Sequence, residues 1–321
     1  MSQFLSNCSV ETLGDAAEKL KLGSLVAFPT ETVYGLGADA TNVDAVKRIY
    51  EVKGRPLDHP VIVHIASMED MGLWACDIPT YAISLARDFW PGPMSLVLLR
   101  SEIAKDFITG GQDTVAVRVP AHPLALGLLR EFRKVGGEGL AAPSANRFGQ
   151  VSPTTAQAVE DELGNFLSSE DLILDGGAAL VGIESTIIDC TGSHPRILRS
   201  GAITKEMVEE STRLEVSEGQ ATEIRVSGLL ENHYSPRAHV ILDAIAESGE
   251  GFIAPASIPT PCDAIRLASP VSTEEYARVL YAALRLGDEK GLARIVVMQP
   301  QGEGLAPVSY THLTLPTIYS V

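Results

Sequence analysis

Two periods of apolar spacing alternate along most of this chain. Leu25-Val26-Ala27-Phe28 is an unbroken apolar run closed by Pro29, the pattern of a short buried strand. After Asn42, the residues Val43, Val46, Ile49 and Tyr50 recur at three- and four-residue steps, so a helix is expected there with Gly54 as its stop. A strand over 61–65 follows, then Ser67 and Asp70 at the spacing of a capping box for another helix. A helix over 81–89 is stopped by Pro91 and Pro93, and strands are expected over 95–99 and 114–119. Pro123 suits the first turn of a helix reaching Phe132. Residues 140–142 lead into a loop at Ser144, 155–163 read as a helix, and strands over 172–174, 185–189 and 196–198 complete the run.

Polar residues dominate 213–238, the composition of a linker. Beyond it come a strand over 239–242, a helix over 274–286 with Tyr276, Val279, Leu280, Ala283 and Leu284 on one face, and a strand over 294–298. Strands alternating with helices predict an α/β fold for both parts. The expected division is a first domain over 1–212, a linker over 213–238 and a smaller α/β domain over 239–308. Residues 309–321 hold no Asp, Glu, Lys or Arg in an acidic chain; they are expected to be a non-native tail, leaving the second domain truncated.

The 321 residues suffice for two domains, and no apolar stretch reaches membrane-spanning length. The first seven residues lack the layout of a secretory signal, so the cytoplasm is the expected location. A net charge of −16 argues against a general polyanion-binding surface. It leaves room for a local positive cleft. Cys8, Cys76, Cys190 and Cys262 are widely spaced with no C-x-x-C pair, so buried free thiols are expected rather than disulfides or zinc.

No phosphate-binding glycine loop of either standard form occurs, so a nucleotide would have to be held by side chains gathered from distant points. Four segments offer such side chains. On the strand around Thr114-Val115-Ala116-Val117-Arg118, alternation puts Thr114, Ala116 and Arg118 on one face, and an arginine fork suits a carboxylate or phosphate. Lys53 and Arg55 flank Gly54 at a helix end, where two close cations repel unless an anion lies between them. Pro143-Ser144-Ala145-Asn146 offers small hydroxyl and amide groups, and Gly182-Ile183-Glu184-Ser185-Thr186 ends in hydroxyls. Each segment alone is equally at home in an ordinary turn or a solvated face. Ser185 has no nucleophile-elbow sequence around it and is not expected to be an acyl-transfer nucleophile.

In combination and in order, Pro29-Thr30-Glu31-Thr32-Val33-Tyr34-Gly35-Leu36-Gly37, Lys53-Gly54-Arg55-Pro56, Val63-His64, Arg118-Val119-Pro120, Ser144-Ala145-Asn146, Ser185-Thr186 and Leu198-Arg199-Ser200-Gly201 resemble the YrdC-like threonylcarbamoyl-AMP synthase family over about residues 10–212. His233-Tyr234-Ser235-Pro236-Arg237 resembles the linker of the two-domain form. The resemblance implies a YrdC-like twisted mixed-sheet domain with flanking helices and a smaller C-terminal Rossmann-like domain. It implies synthesis of L-threonylcarbamoyladenylate from L-threonine, bicarbonate or CO2 and ATP, with Mg2+ accompanying ATP. Partner proteins would then transfer the group to the adenosine beside the anticodon of tRNA, and a weak tRNA contact is left open. By resemblance, Thr32, His64, Arg118, Ser144 and Ser185 contact threonine. Lys53, Arg55, His59, Thr114, Asn146, Ser152 or Thr154, and Arg199 contact ATP, with His233 and Tyr234 closing the cleft. Lys53, Arg55 and Arg199 carry the catalytic charge, and no protein group is expected to hold a metal by itself. One departure is Val226-Ser227-Gly228-Leu229-Leu230, where the family leads one to expect a Pro-Gly-Met-type linker entry. Two other readings remain: a non-catalytic RNA-binding YrdC-like module, and a same-fold enzyme acting on carbamoyl-adenylate or modified tRNA.

Overall fold

The computed structural model describes residues 3–5, 9–218, 224–226, 236–302, 304–306 and 308. The tail over 309–321, the linker motif residues His233 and Tyr234, and Cys8 lie outside them.

Eleven strands form one mixed sheet: β1 (Gln3–Leu5), β2 (Val26–Pro29), β3 (Tyr34–Asp39), β4 (Ile62–His64), β5 (Met94–Leu99), β6 (Thr114–Arg118), β7 (Leu140–Ala141), β8 (Leu172–Leu174), β9 (Thr186–Asp189), β10 (Arg196–Arg199) and β11 (Ser217–Glu218). Their spatial order is β1-β8-β2-β3-β7-β4-β6-β5-β9-β10-β11. The helices of this part are α1 (Val10–Lys21), α2 (Val43–Lys53), α3 (Met71–Trp74), α4 (Thr80–Phe89), α5 (Asp106–Thr109), α6 (Pro123–Lys134), α7 (Ala156–Leu163) and α8 (Lys205–Thr212). A second, all-parallel sheet runs β12-β15-β13-β14, from β12 (His239–Leu242), β13 (Gly251–Ile253), β14 (Ile265–Ala268) and β15 (Arg294–Val297), with α9 (Thr273–Glu289) crossing from β14 to β15. Among the described residues no helix is long and apolar enough to cross a membrane.

Strand alternation divides the core. Ala27, Val63, Val115 and Val117 face one large cluster with Val46, Ile49 and Trp74. Val26, Phe28, Leu172 and Leu174 face the opposite side, where α1 and α6 cover them with Leu13, Leu20, Leu128 and Phe132. Helix ends carry their own signals. Asn42 Oδ1 accepts from the Asp44 and Ala45 amides, and Gly54 closes α2 at φ +63°, a left-handed conformation that glycine adopts without strain. Ser67 and Asp70 do form a capping box, but it opens a 3₁₀ turn over Met68–Asp70 that passes into the one-turn α3 rather than a full helix.

Helix α8 ends at Thr212, and within the polar stretch that follows β11 pairs with β10, and Ile224 and Val226 pack on Ile62, Val97, Ile187 and Leu198. Two expectations need correction. Helix α9 has two buried faces, with Ala277 and Tyr281 buried besides Tyr276, Leu280, Ala283 and Leu284, while Val279 is only half-buried. The extra face meets the first domain, where Ala277 packs with Ile183, and Val33 and Val151 join the cluster around α9. Of the thiols, Cys190 is buried as expected, but Cys76 and Cys262 are exposed.

Candidate active site

Parallel pairing of β4 with β6 sets His64 beside Arg118 on the sheet face opposite the large core. Arg118 is 3% exposed. Its Nη2 donates to Glu31 Oε1 at 2.6 Å and to Thr32 Oγ1 at 3.0 Å, and its Nε donates to the Gly92 carbonyl at 3.2 Å. Glu31 Oε2 accepts from the Ala121 amide, so the carboxylate is a strut for the guanidinium. The Phe28 ring meets the His64 ring edge-on, with centroids 5.9 Å apart. Burial first, and the Arg118 charge second, push the His64 pKa down to about 3, so its imidazole is neutral near pH 7. His64 Nδ1 is buried without a hydrogen-bond partner among the described residues.

The last residue of α2, Lys53, is buried against the loop after β7. Its amine donates to the Ser144 carbonyl at 2.6 Å and to the Asn146 carbonyl. Desolvation, then repulsion from Arg55, brings its pKa down to about 7. Asn146 spends its amide nitrogen on the Arg147 and Gln150 carbonyls, which leaves its buried Oδ1 without a partner among the described residues. Arg55 Nη2 donates to the Pro60 carbonyl.

On the third side, Arg199 crosses to the start of β9. Its Nη2 donates to Ser185 Oγ at 2.9 Å and its Nε to the Ser185 carbonyl at 3.0 Å, with Glu184 Oε2 3.7 Å away. Ser185 Oγ also bonds Ser95 Oγ, and Ser152 Oγ donates to Glu184 Oε1.

Thr32, Lys53, Arg55, His64, Arg118, Ser144, Asn146, Ser185 and Arg199 thus line one cleft. Four basic side chains face two carboxylates, Glu31 and Glu184, each already engaged by an arginine. Such a site is built to take anionic oxygens at two ends. Among the described residues no three His, Cys, Asp or Glu side chains gather as a metal-holding set.

The other expected residues among those described, His59, Thr114, Ser152 and Thr154, do not line the cleft itself. His59 packs its ring against Phe148, which lines the cleft, at 5.3 Å. Thr114 lines an adjoining hollow with Ala116, Ile187 and Val226, and Ile62 is common to both. Ser152 is fully buried and reaches the cleft only through its hydrogen bond to Glu184, and Thr154 is buried with its carbonyl accepting from the Ala179 amide. Sequence reasoning did not single out Glu184 or Ser95. Glu184 stood inside the Gly182–Thr186 motif, whereas Ser95 had no signal beyond a hydroxyl within an apolar strand.

Two family models match this chain: the Sua5–YciO–YrdC model, described as "Telomere recombination", over residues 18–201, and the "Threonylcarbamoyl-AMP synthase, C-terminal domain" model over 203–307. A threonylcarbamoyl-AMP synthase of Pyrococcus abyssi is 41% identical over 316 residues, 91% of this chain and 90% of that one. The Bacillus subtilis protein of the same name is 44% identical over 231 residues, 70% of this chain and 65% of that one. The crystal structure of P. abyssi Sua5 complexed with L-threonine superposes with a TM-score of 0.87 at 36% identity, covering 99% of this chain and 97% of that one. With the geometry of the cleft and both matched segments in agreement, the chain belongs to the two-domain threonylcarbamoyl-AMP synthase family.

Proposed function

We propose that the protein makes L-threonylcarbamoyladenylate from L-threonine, bicarbonate and ATP, releasing pyrophosphate. The observation that carries this reading is the single cleft with two polar ends. One end is Arg118, Thr32 and neutral His64; the other is Lys53, Arg55, Asn146 and Arg199. Threonine's carboxylate is read onto the Arg118 fork and its amine and hydroxyl toward Thr32, His64, Ser144 and Ser185. Neutral His64 adds no charge to repel the ammonium group. Bicarbonate converts the amine to a carbamate with loss of water. A carbamate oxygen then attacks the α-phosphorus, and the P–O bond to pyrophosphate breaks. No protein nucleophile is required. The work of the site is alignment and offsetting the charge that grows on the phosphates, which falls to Lys53, Arg55 and Arg199. Glu31 and Glu184 are committed to arginines, which supports magnesium arriving with the nucleotide as part of the Mg–ATP substrate. His233 and Tyr234 are read as closing the cleft from the linker, and transfer to tRNA as the work of partner proteins.

The test is pyrophosphate release from ATP and bicarbonate with L-threonine, with L-serine, and without amino acid. Release that depends on threonine is expected. Equal release with and without threonine, or none from folded protein, would overturn the reading. A passive RNA-binding module would show none.

A further inference from the structure

Arg285, on the C-terminal half of α9, reaches out of the second domain to the segment behind the cleft-lining loop of the first. Its Nη1 donates to Glu162 Oε2 at 2.5 Å and to the Val151 carbonyl at 2.9 Å, and its Nη2 donates to the Ala158 carbonyl at 3.1 Å. Arg285 and Glu162 are 14% and 13% exposed. Glu162 passes the connection on: its other oxygen accepts from the Arg147 amide at 2.8 Å. Arg147 donates to the carbonyl of Val52, the residue before Lys53, at 2.6 Å and lies over the Phe166 ring. Next to it, the Phe148 amide donates to the Lys53 carbonyl at 2.7 Å. The loop carrying Asn146 is therefore fixed at Arg147 and Val151 from the second domain, and at Asn146 by Lys53.

We infer that Arg285 is a positioning residue for the nucleotide end of the cleft, so that the seat of the second domain on the first is part of how ATP is held. The inference rests on the function proposed above. Arg285 touches no cleft-lining group directly; it acts through Glu162, Arg147 and the loop they hold. Only an arginine reaches a carboxylate and two backbone carbonyls at once from this place, because its fork presents several donors in one plane. The carboxylate anchor of the threonine end has a separate support, since Arg118 is held by Glu31, Thr32 and Gly92 and shares no hydrogen bond with this chain of contacts; Ser144, whose carbonyl accepts from Lys53, is the threonine-side residue that sits on the supported loop.

That separation makes the test asymmetric. Arg285→Met, Arg285→Lys, Glu162→Gln and the Arg285→Met/Glu162→Gln pair are compared in the full chain by pyrophosphate release, with ATP and threonine varied in turn. Arg285→Met is expected to raise the KM for ATP about tenfold, a usual size for coupling between separate sites, and to leave the KM for threonine within about twofold. Glu162→Gln should be non-additive with it, because removing Arg285 alone leaves a half-buried carboxylate without its cation. Arg285→Lys keeps the ion pair but not the reach to both carbonyls, and should fall between. Hydrogen exchange of the ligand-free protein supplies a readout independent of turnover, with amides of 147–151 losing protection in Arg285→Met. Equal rises in both KM values, an additive pair, or unchanged exchange in 147–151 would overturn the inference. Should wild type release no pyrophosphate, the functional reading falls while the exchange experiment still decides the clamp. Should Arg285→Met fail to fold, Arg285→Lys and Glu162→Gln carry the same comparisons.

Discussion

Lys53 holds its buried place as an amine rather than as an exposed cation. With a folded pKa near 7 against an ordinary 10.5, it is mostly neutral at pH 8, and its two protein acceptors are carbonyls that a neutral amine also satisfies. Protonation opposes the ligand-free fold, so the stability linked to this group rises with pH between about 7 and 10.5. A triphosphate reverses the preference. ATP binding at pH 8 should therefore take up close to one proton, read by calorimetry in buffers of different ionisation enthalpy, and Lys53→Met should abolish the uptake. An uptake that survives Lys53→Met would assign the proton elsewhere. Arg118 calls for a paired design. Arg118→Ala strands the Glu31 carboxylate in a buried setting, at a cost of about 3–5 kcal/mol in folding stability. Arg118→Met with Glu31→Gln should fold nearly normally and raise the KM for threonine far more than that for ATP. Equal effects on the two would remove Arg118 from the carboxylate's place.

Among the elements, Gly182 shows how closely the two domains meet. Its φ is +76°, and a Cβ there would lie 2.4 Å from the Arg278 carbonyl oxygen on α9. Gly177 has a similar φ of +80° but open space around it. Gly182→Ala should cost at least about 1 kcal/mol more than Gly177→Ala, because both share the backbone strain and only one meets α9. Chemical denaturation of the two variants makes the comparison, and equal losses would mean that the contact carries no weight. The elements legible from sequence were those with a strong apolar stripe, such as α2, α6 and α9. Helix α1 was not read because half its buried stripe is alanine: Leu13, Ala16, Ala17 and Leu20. Strands β13 and β14 are short, and every residue of β14 is only half-buried, so no clean alternation marks it. The site residues were legible as chemical types at strand and helix ends. Their supports were not, because the partners are far apart in the chain: 87 positions from Arg118 to Glu31, 90 from Ser95 to Ser185, and 134 from Arg285 to Val151.

At the scale of the whole molecule, the face of α9 that meets the first domain replaces what a lone second domain would expose. Val33 and Val151 of the first domain share one apolar cluster with Tyr276, Leu280 and Tyr281, and Ile183 meets Ala277. Arg285 adds a half-buried ion pair across the same boundary. Two sheets that share this much apolar contact should unfold together. Calorimetry of the full chain is expected to show one cooperative transition, with nucleotide raising its midpoint; two well-separated transitions would show the domains to be energetically independent.

Strand β6 has a bearing on how such an enzyme changes over time. Val115 and Val117 belong to the large core, while Arg118 lines the cleft and Thr114 and Ala116 line the adjoining hollow. Substitutions at alternate positions therefore answer to different selection, one set to folding and the other to what is bound. Ala116 sits between the two polar members, outside the large core, and packs against the small cluster of Ile62, Val97, Ile187, Leu198 and Val226. A small library at Ala116 alone would be an economical place to look for altered substrate choice in a protein that still folds.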